Sequence, residues 1–235
     1  MEQNMGQTDK LPLKPPTLSP TGKRPKNAGV APLWISTIAA LLFGALYAIL
    51  PEWITVGPSW ILLVIELIII LPGTIAYWLN HPFSIRTNRI LAFVLLGIIT
   101  VSLISGIVLL VVTLPQRQQG IQAIGLLRTG TLLYLCNILV FALWYWEIDG
   151  DGPHKRFQAG HQASDFLFPQ QIDGNSWGWA PHFVDYLFLA FTGATALSPT
   201  DTYPLTRPAK CLMMIEAIIA MTILTILIGR AINIV

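Results

Sequence analysis

The sequence predicts an all-α integral membrane protein, with about five transmembrane helices and one short re-entrant helix before the last span. Three observations carry this. First, 54% of the 235 residues are hydrophobic and 11% are charged, with a mean hydropathy of +0.62, whereas a soluble domain carries roughly a quarter charged residues. Second, five stretches reach the ~20 apolar residues that a spanning helix needs. Third, one further apolar stretch is too short to cross, and a polar turn containing proline follows it.

Residues 1–30 hold five prolines and the basic Lys10, Lys14, Lys23, Arg24 and Lys26, with no apolar run. They read as a disordered basic tail and not as a signal peptide. A basic tail before a span is expected in the cytoplasm, and its field is too weak to argue for nucleic acid. Residues 31–147 form a four-helix region. The first span is Ala31–Leu50, ended by Pro51. The second is Pro58–Leu79, with Pro58 at a first helical position. The turn Asn80–Arg89 offers Asn88 as a cap for the third span, Ile90–Leu114. The fourth runs from about Ile121 to Trp146, and its aromatic end Trp144, Tyr145, Trp146 has the composition of an interfacial belt. The fifth span is Cys211–Arg230. Cys136 and Cys211 both read as small buried hydrophobes.

Residues 148–180 form a polar extramembrane loop, and residues 181–235 the last module. Its first part, Pro181–Thr195, would rise roughly 22 Å as a helix, against a hydrocarbon core of about 30 Å. The following Ala196–Thr202 contains Pro199, which interrupts any helix. Non-helical backbone survives at membrane depth only when buried in protein or lining a wet cavity, so the pattern predicts a re-entrant loop; the alternative is an ordinary sixth helix.

Short helix, turn rich in Thr and Asp, then long span is the order of pore-loop cation channels, with Thr192, Thr195, Ser198, Pro199, Thr200 and Asp201 at filter-like positions. The stretches Leu143–Pro153, Asp165–Gln170, Phe183–Arg207 and Ala209–Val235 resemble a family of uncharacterised bacterial membrane proteins described as ion-channel-like. The resemblance covers about residues 142–235, and it implies a bacterial inner membrane and a pore loop. A potassium filter aims successive backbone carbonyls inward with the help of glycines. Here Leu197 and Pro199 stand where glycines would be needed, so a potassium-type ladder is not expected. Hydroxyls of Thr195, Ser198 and Thr200 and a ring of Asp201 remain, which suits monovalent cations. Equally, Ser198 and Asp201 could cap the loop's own backbone.

Charges inside spans are functional candidates by default. Glu66, Arg128 and Glu216 fall in this class, with Asn137. Glu66 reads as part of an internal ion pair, for example with Arg128, or of a hydrogen bond. Glu216 reads either as that or as part of a proton or cation path. Asn137 reads as a helix–helix hydrogen bond. Asp185 complements the start of the short helix. The run Glu147–Gly152 has alternating acids like a calcium loop, but Gln158 stands where a bidentate Glu is required; it reads as a solvated Gly-Asp turn. The histidines are too irregularly spaced for zinc. No cofactor and no nucleophile–base set is indicated, so no enzymatic activity is expected.

Two function classes follow. In the first the chain is an ion-channel-like protein, necessarily a homo-oligomer because one loop cannot enclose a pore, with a tetramer expected. In the second it does not conduct, and the re-entrant segment shapes a cleft for a lipid, ligand or partner helix. Basic residues at the tail, Arg86, Arg89, Lys155 and Arg156 against Arg117 on the other side put the tail and the loop 148–180 in the cytoplasm. Likeness to potassium channels predicts the opposite orientation.

Overall fold

The structure is a computed structural model that describes residues 34–79, 83–113, 123–175, 178–195 and 201–232. Among them are seven α-helices: α1 Trp34–Ala48, α2 Ile61–Trp78, α3 Ile85–Thr113, α4 Ala123–Ile148, α5 Pro153–Gln158, α6 Phe183–Thr195 and α7 Arg207–Ile232. Two residue pairs, β1 Phe166–Leu167 and β2 Tyr203–Pro204, form a short antiparallel ladder with Leu167 opposite Tyr203. The all-α expectation holds. Three helices are long and apolar enough to cross a membrane, Ile85–Thr113, Gly125–Asp151 and Arg207–Gly229, while those spanning Ile35–Ala48, Ile61–Ala76 and Phe183–Thr195 are apolar but shorter.

α4 is the hub of the packing. α1, α3, α6 and α7 all lie against it, and α2 is carried by α1. Its sequence explains this: from Leu133 to Trp146 nearly every side chain is apolar or aromatic, and Leu133, Cys136, Val140, Ala142, Tyr145 and Trp146 are wholly buried. A helix hydrophobic all round must be covered all round. Glycines let neighbours approach. A side chain on Gly130 would collide with Leu227 of α7, and one on Gly106 of α3 would crowd Leu133 and Ile54.

Two helices start earlier than hydropathy alone places them. α3 begins at Ile85 and not at Ile90, with the Ser84 hydroxyl accepting the Arg86 N–H; Asn88 is inside the helix and is not its cap. α7 begins at Arg207 and not at Cys211, because Thr206 caps it by accepting the Ala209 N–H and Pro208 suits the first turn. In both cases a charged first turn hides the start from a hydrophobicity count.

The segments on either side of α6 make a polar cap over the end of α4. Gly150 and Gly152 adopt φ of +56° and +99° there, which turns the chain sharply from α4 into α5. The cap also receives the start of α3, where Arg89 pairs with Asp151 at 2.7 Å. Ser59, just before α2, donates to the Ala48 carbonyl at the end of α1, so α1 and α2 form a hairpin whose closed end is opposite the cap.

Candidate functional site

The functional candidates divide between the α4–α6–α7 junction, the α1–α2–α4 junction and the cap. At the cap, the Asp149 carboxylate is the central acceptor. Its Oδ1 takes the backbone N–H groups of Asp165 and Phe166 at 3.0 and 3.3 Å, and its Oδ2 takes the Tyr186 hydroxyl of α6. Asp165 continues the chain of bonds, with Oδ2 accepting from Gly150 N–H and Oδ1 from the Thr206 hydroxyl at 2.6 Å. The buried Arg156 guanidinium donates to the carbonyls of Trp146 and Asp149 and lies over the Trp146 ring at 4.7 Å and the Tyr186 ring at 5.2 Å. Aromatic rings fill the remaining space, among them Tyr145 on Phe166 and Trp146 on Tyr186, edge to face. One polar network therefore ties the end of α4 to the starts of α6 and α7.

This corrects two expectations. The run Glu147–Gly152 is not a solvated turn, since Asp149 is 3% exposed. Asp151 is the solvated member, paired with Arg89 and Lys155. Nor do Tyr145 and Trp146 form an interfacial belt: both are wholly buried under the cap. Only Trp144 is partly exposed, and it donates to the Thr100 hydroxyl at 2.9 Å.

The connectivity around α6 is unusual. α6 leaves the cap beside Trp146, with the Phe183 and Trp146 rings 6.0 Å apart. By Tyr203 the chain is back on the cap, paired with Leu167, and Leu205 N–H bonds the Asp165 carbonyl at 2.8 Å. α6 and α7 thus both set out from the same end of α4. Asp185 in the first turn of α6 accepts the His182 N–H at 2.7 Å, as a carboxylate at a helix start does. Farther along α6, the Thr192 hydroxyl bonds the carbonyls of Phe188 and Leu189, and Thr195 bonds those of Phe191 and Thr192. Both hydroxyls are satisfied by their own helix. Ser198, Pro199 and Thr200 lie outside the described residues, and Asp201 is exposed two residues before β2.

The polar candidates of the apolar helices separate from one another. Glu216 of α7 is fully buried between α4, α6 and α7, where its Oε2 accepts the Tyr145 hydroxyl. A side chain on Gly193 of α6 would stand 2.9 Å from that oxygen, so the glycine makes the room. Glu66 of α2 is fully buried against Gly44 of α1, and neither of its oxygens has a hydrogen-bond partner among the described residues. The expected ion pair with Arg128 does not form. Arg128 is exposed near the start of α4, and the ion pairs of the described residues involve only Asp151. Among the described residues Asn137 makes no interhelical bond either: it is fully buried, and its amide nitrogen and oxygen both lack partners there. Cys136 is buried as expected, whereas Cys211 is exposed. Among the described residues no group of three or more His, Cys, Asp and Glu is arranged to hold a metal ion.

Sequence reasoning missed Asp149, Arg156, Tyr186 and His161. His161 is 7% exposed, sits at a φ of +56°, and has both ring nitrogens unpartnered among the described residues. Burial, with Arg156 and His182 nearby, holds its pKa below the ordinary 6.5. Its neutral form is therefore the one the fold favours. The unfolded chain takes up a proton first as pH falls, so stability is full above the ordinary value and declines as pH drops from there toward the folded value. We expect the thermal midpoint in detergent to fall between about pH 7 and about pH 5, and His161→Asn, which tolerates the positive φ, to flatten that fall. An equal slope in the variant would place the acid sensitivity elsewhere.

Compared with protein-family models, with curated proteins and with solved structures, the chain matches none.

Proposed function

We propose that this chain is an ion-channel-like integral membrane protein in which α6 is a re-entrant helix and α7 the span that follows it. The observation that carries the reading is the return of the chain to the cap. α6 has thirteen residues, a rise of roughly 20 Å, and its two flanks are joined by the β1–β2 ladder. A short apolar helix whose ends come back to one side, followed by a long apolar helix, is the order of a pore-loop module. The bilayer as solvent is supported by the surface. Ile68, Val101, Ile218 and Met221 are each more than half exposed on α2, α3 and α7, and water does not favour such faces. The likeness of residues 142–235 to the bacterial ion-channel-like family belongs to the same reading, with a bacterial inner membrane as location.

One α6 per chain cannot enclose a pore, so the reading requires a homo-oligomer, with a tetramer expected. Asp201 is the exposed carboxylate available to a ring at the cap side, which suits monovalent cations. The reading predicts a tetramer in mild detergent and cation release from liposomes carrying the purified protein, with weaker cation preference in Asp201→Asn. A monomer that leaves liposomes tight would sink it. The second reading, a non-conducting protein with a cleft for a lipid, ligand or partner helix, is favoured by one observation: the hydroxyls of Thr192 and Thr195 are spent on their own helix. The liposome measurement separates the two.

The charge distribution supports one orientation. α3, α6 and α7 start at the cap and the α1–α2 hairpin closes at the far end. The entry to α1 is then on the cap side, with Arg86, Arg89, Lys155 and Arg156. Positive charge retains that side in the cytoplasm. Reporters placed after Arg24 and at Gly160 are expected to report the same, cytoplasmic, compartment.

A further inference from the structure

We propose that Glu66 is a proton-binding site, an enclosed carboxyl between α1, α2 and α4 that holds a proton and no larger cation. The side chain is fully buried; among the described residues no side chain donates to either oxygen, and the Gly44 backbone N–H is the one polar group directed at it. Its Oε2 occupies the space that a side chain on Gly44 would fill, so the seat is built from the absence of a Cβ on the facing helix. Cys136 of α4 is its titratable neighbour.

The charged groups of the surrounding helices leave it unpaired. α1 contains none and α2 contains no other. Arg86 and Arg89 of α3 lie in its first turns at the cap, where Arg89 is held by Asp151. On α4, Arg128 is exposed and Glu147 is at the cap end. An ionised carboxylate removed from water with no cation beside it, and only the Gly44 backbone N–H to face it, is far costlier than the neutral acid. A bound metal ion would need more than this seat provides. Hard cations take six or more oxygen ligands, whereas Glu66 faces Gly44 and the Cys136 thiol, and among the described residues no group of three or more His, Cys, Asp and Glu is arranged to hold a metal ion. A proton needs one oxygen.

Glu216 shows the contrast. Its Oε2 receives the Tyr145 hydroxyl, so the protein supplies a side-chain donor there, whereas Glu66 faces only the Gly44 backbone N–H. Loss of the proton from Glu66 would place a bare charge between α1 and α2, which water entry or parting of the hairpin must then relieve. The hairpin is thus the element whose closure depends on proton occupancy. None of this requires conduction, so its failure leaves the channel reading untouched, and the converse holds.

The experiment is infrared spectroscopy of the full chain in lipid bilayers near neutral pH, with glutamate labelled by carbon-13. A protonated-carboxyl band that moves with the label, persists in Glu216→Gln and Glu147→Gln together, and vanishes in Glu66→Gln is expected. Glu52 is exposed. Absence of a labelled band from the unmutated protein, or a band lost with Glu147 and Glu216 replaced, overturns the proposal. Neither of those outcomes depends on Glu66→Gln folding.

Discussion

Asp149→Ala is expected to destabilise the protein by about 3–5 kcal/mol, the range for breaking a buried charge network, while Asp151→Asn two residues away, which tolerates the φ of +61° there, changes it by less than about 1 kcal/mol. The two aspartates belong to one short acidic run, yet their surroundings are opposite. Asp149 is buried and accepts two backbone N–H groups and the Tyr186 hydroxyl. Removing it leaves the buried Phe166 N–H and Tyr186 hydroxyl and the half-buried Asp165 N–H without that acceptor, and each fully buried orphan carries a desolvation penalty of about 1–3 kcal/mol. Arg156 would lose its nearby counter-charge while remaining 3% exposed. Asp151 instead reaches Arg89 and Lys155 at the surface, with its side chain 57% exposed, where ion pairs are screened and contribute little. Unfolding followed by tryptophan fluorescence in mixed micelles measures both. Because the Asp149 network holds the starts of α6 and α7, Asp149→Ala should also open the 160–180 segment to protease before the helices melt. Equal effects of the two replacements would remove Asp149 from its central place.

The sequence reveals the helices better than their relations. Apolar length locates α1 to α4 and α7 because a helix surrounded by apolar neighbours needs little else, and Pro181–Thr195 is legible as a short helix for the same reason. The register of the starts is lost where charge enters the first turn, as at Arg86 of α3 and Arg207 of α7. There the usable signals are the caps: Ser84, and Thr206 followed by Pro208. The partners of the buried polar groups are not legible. Arg128 looks like the mate of Glu66 by charge alone, but which face of α4 it occupies depends on tertiary packing, and it ends exposed. Asp149 looks like a turn residue because its acceptor role is set by Asp165, Phe166 and Tyr186, sixteen to thirty-seven residues away. Hydropathy carries no information about such distant donors. The return of the chain to the cap is half legible: the short helix and the proline announce it, while the β1–β2 ladder that fixes its ends is two residues long and leaves no period to read.

Gly44→Ala is expected to change sign with the residue at position 66. In the unmutated protein the added methyl group would overlap the Glu66 carboxyl. A carboxyl at the end of a flexible side chain could swing away from an exposed site, but this one is fully enclosed. α1 and α2 must then separate or the carboxyl must strain its neighbours, a cost of about 1–3 kcal/mol for overpacking. In a Glu66→Ala background the seat is empty. The same Gly44→Ala replacement then adds a methyl group to open space inside a helix, where alanine is about 1 kcal/mol better than glycine. The double-mutant cycle thus reads the contact directly, since the two residues share one space and should not be additive. Unfolding of the four proteins in mixed micelles supplies the numbers. If Gly44→Ala costs the same in both backgrounds, Glu66 is not seated on Gly44 and the enclosed carboxyl loses the geometry on which its proton-binding role rests. A sign reversal would instead make the glycine part of the site: a residue with no functional group, placed on the opposite helix so that an acid can be buried against it.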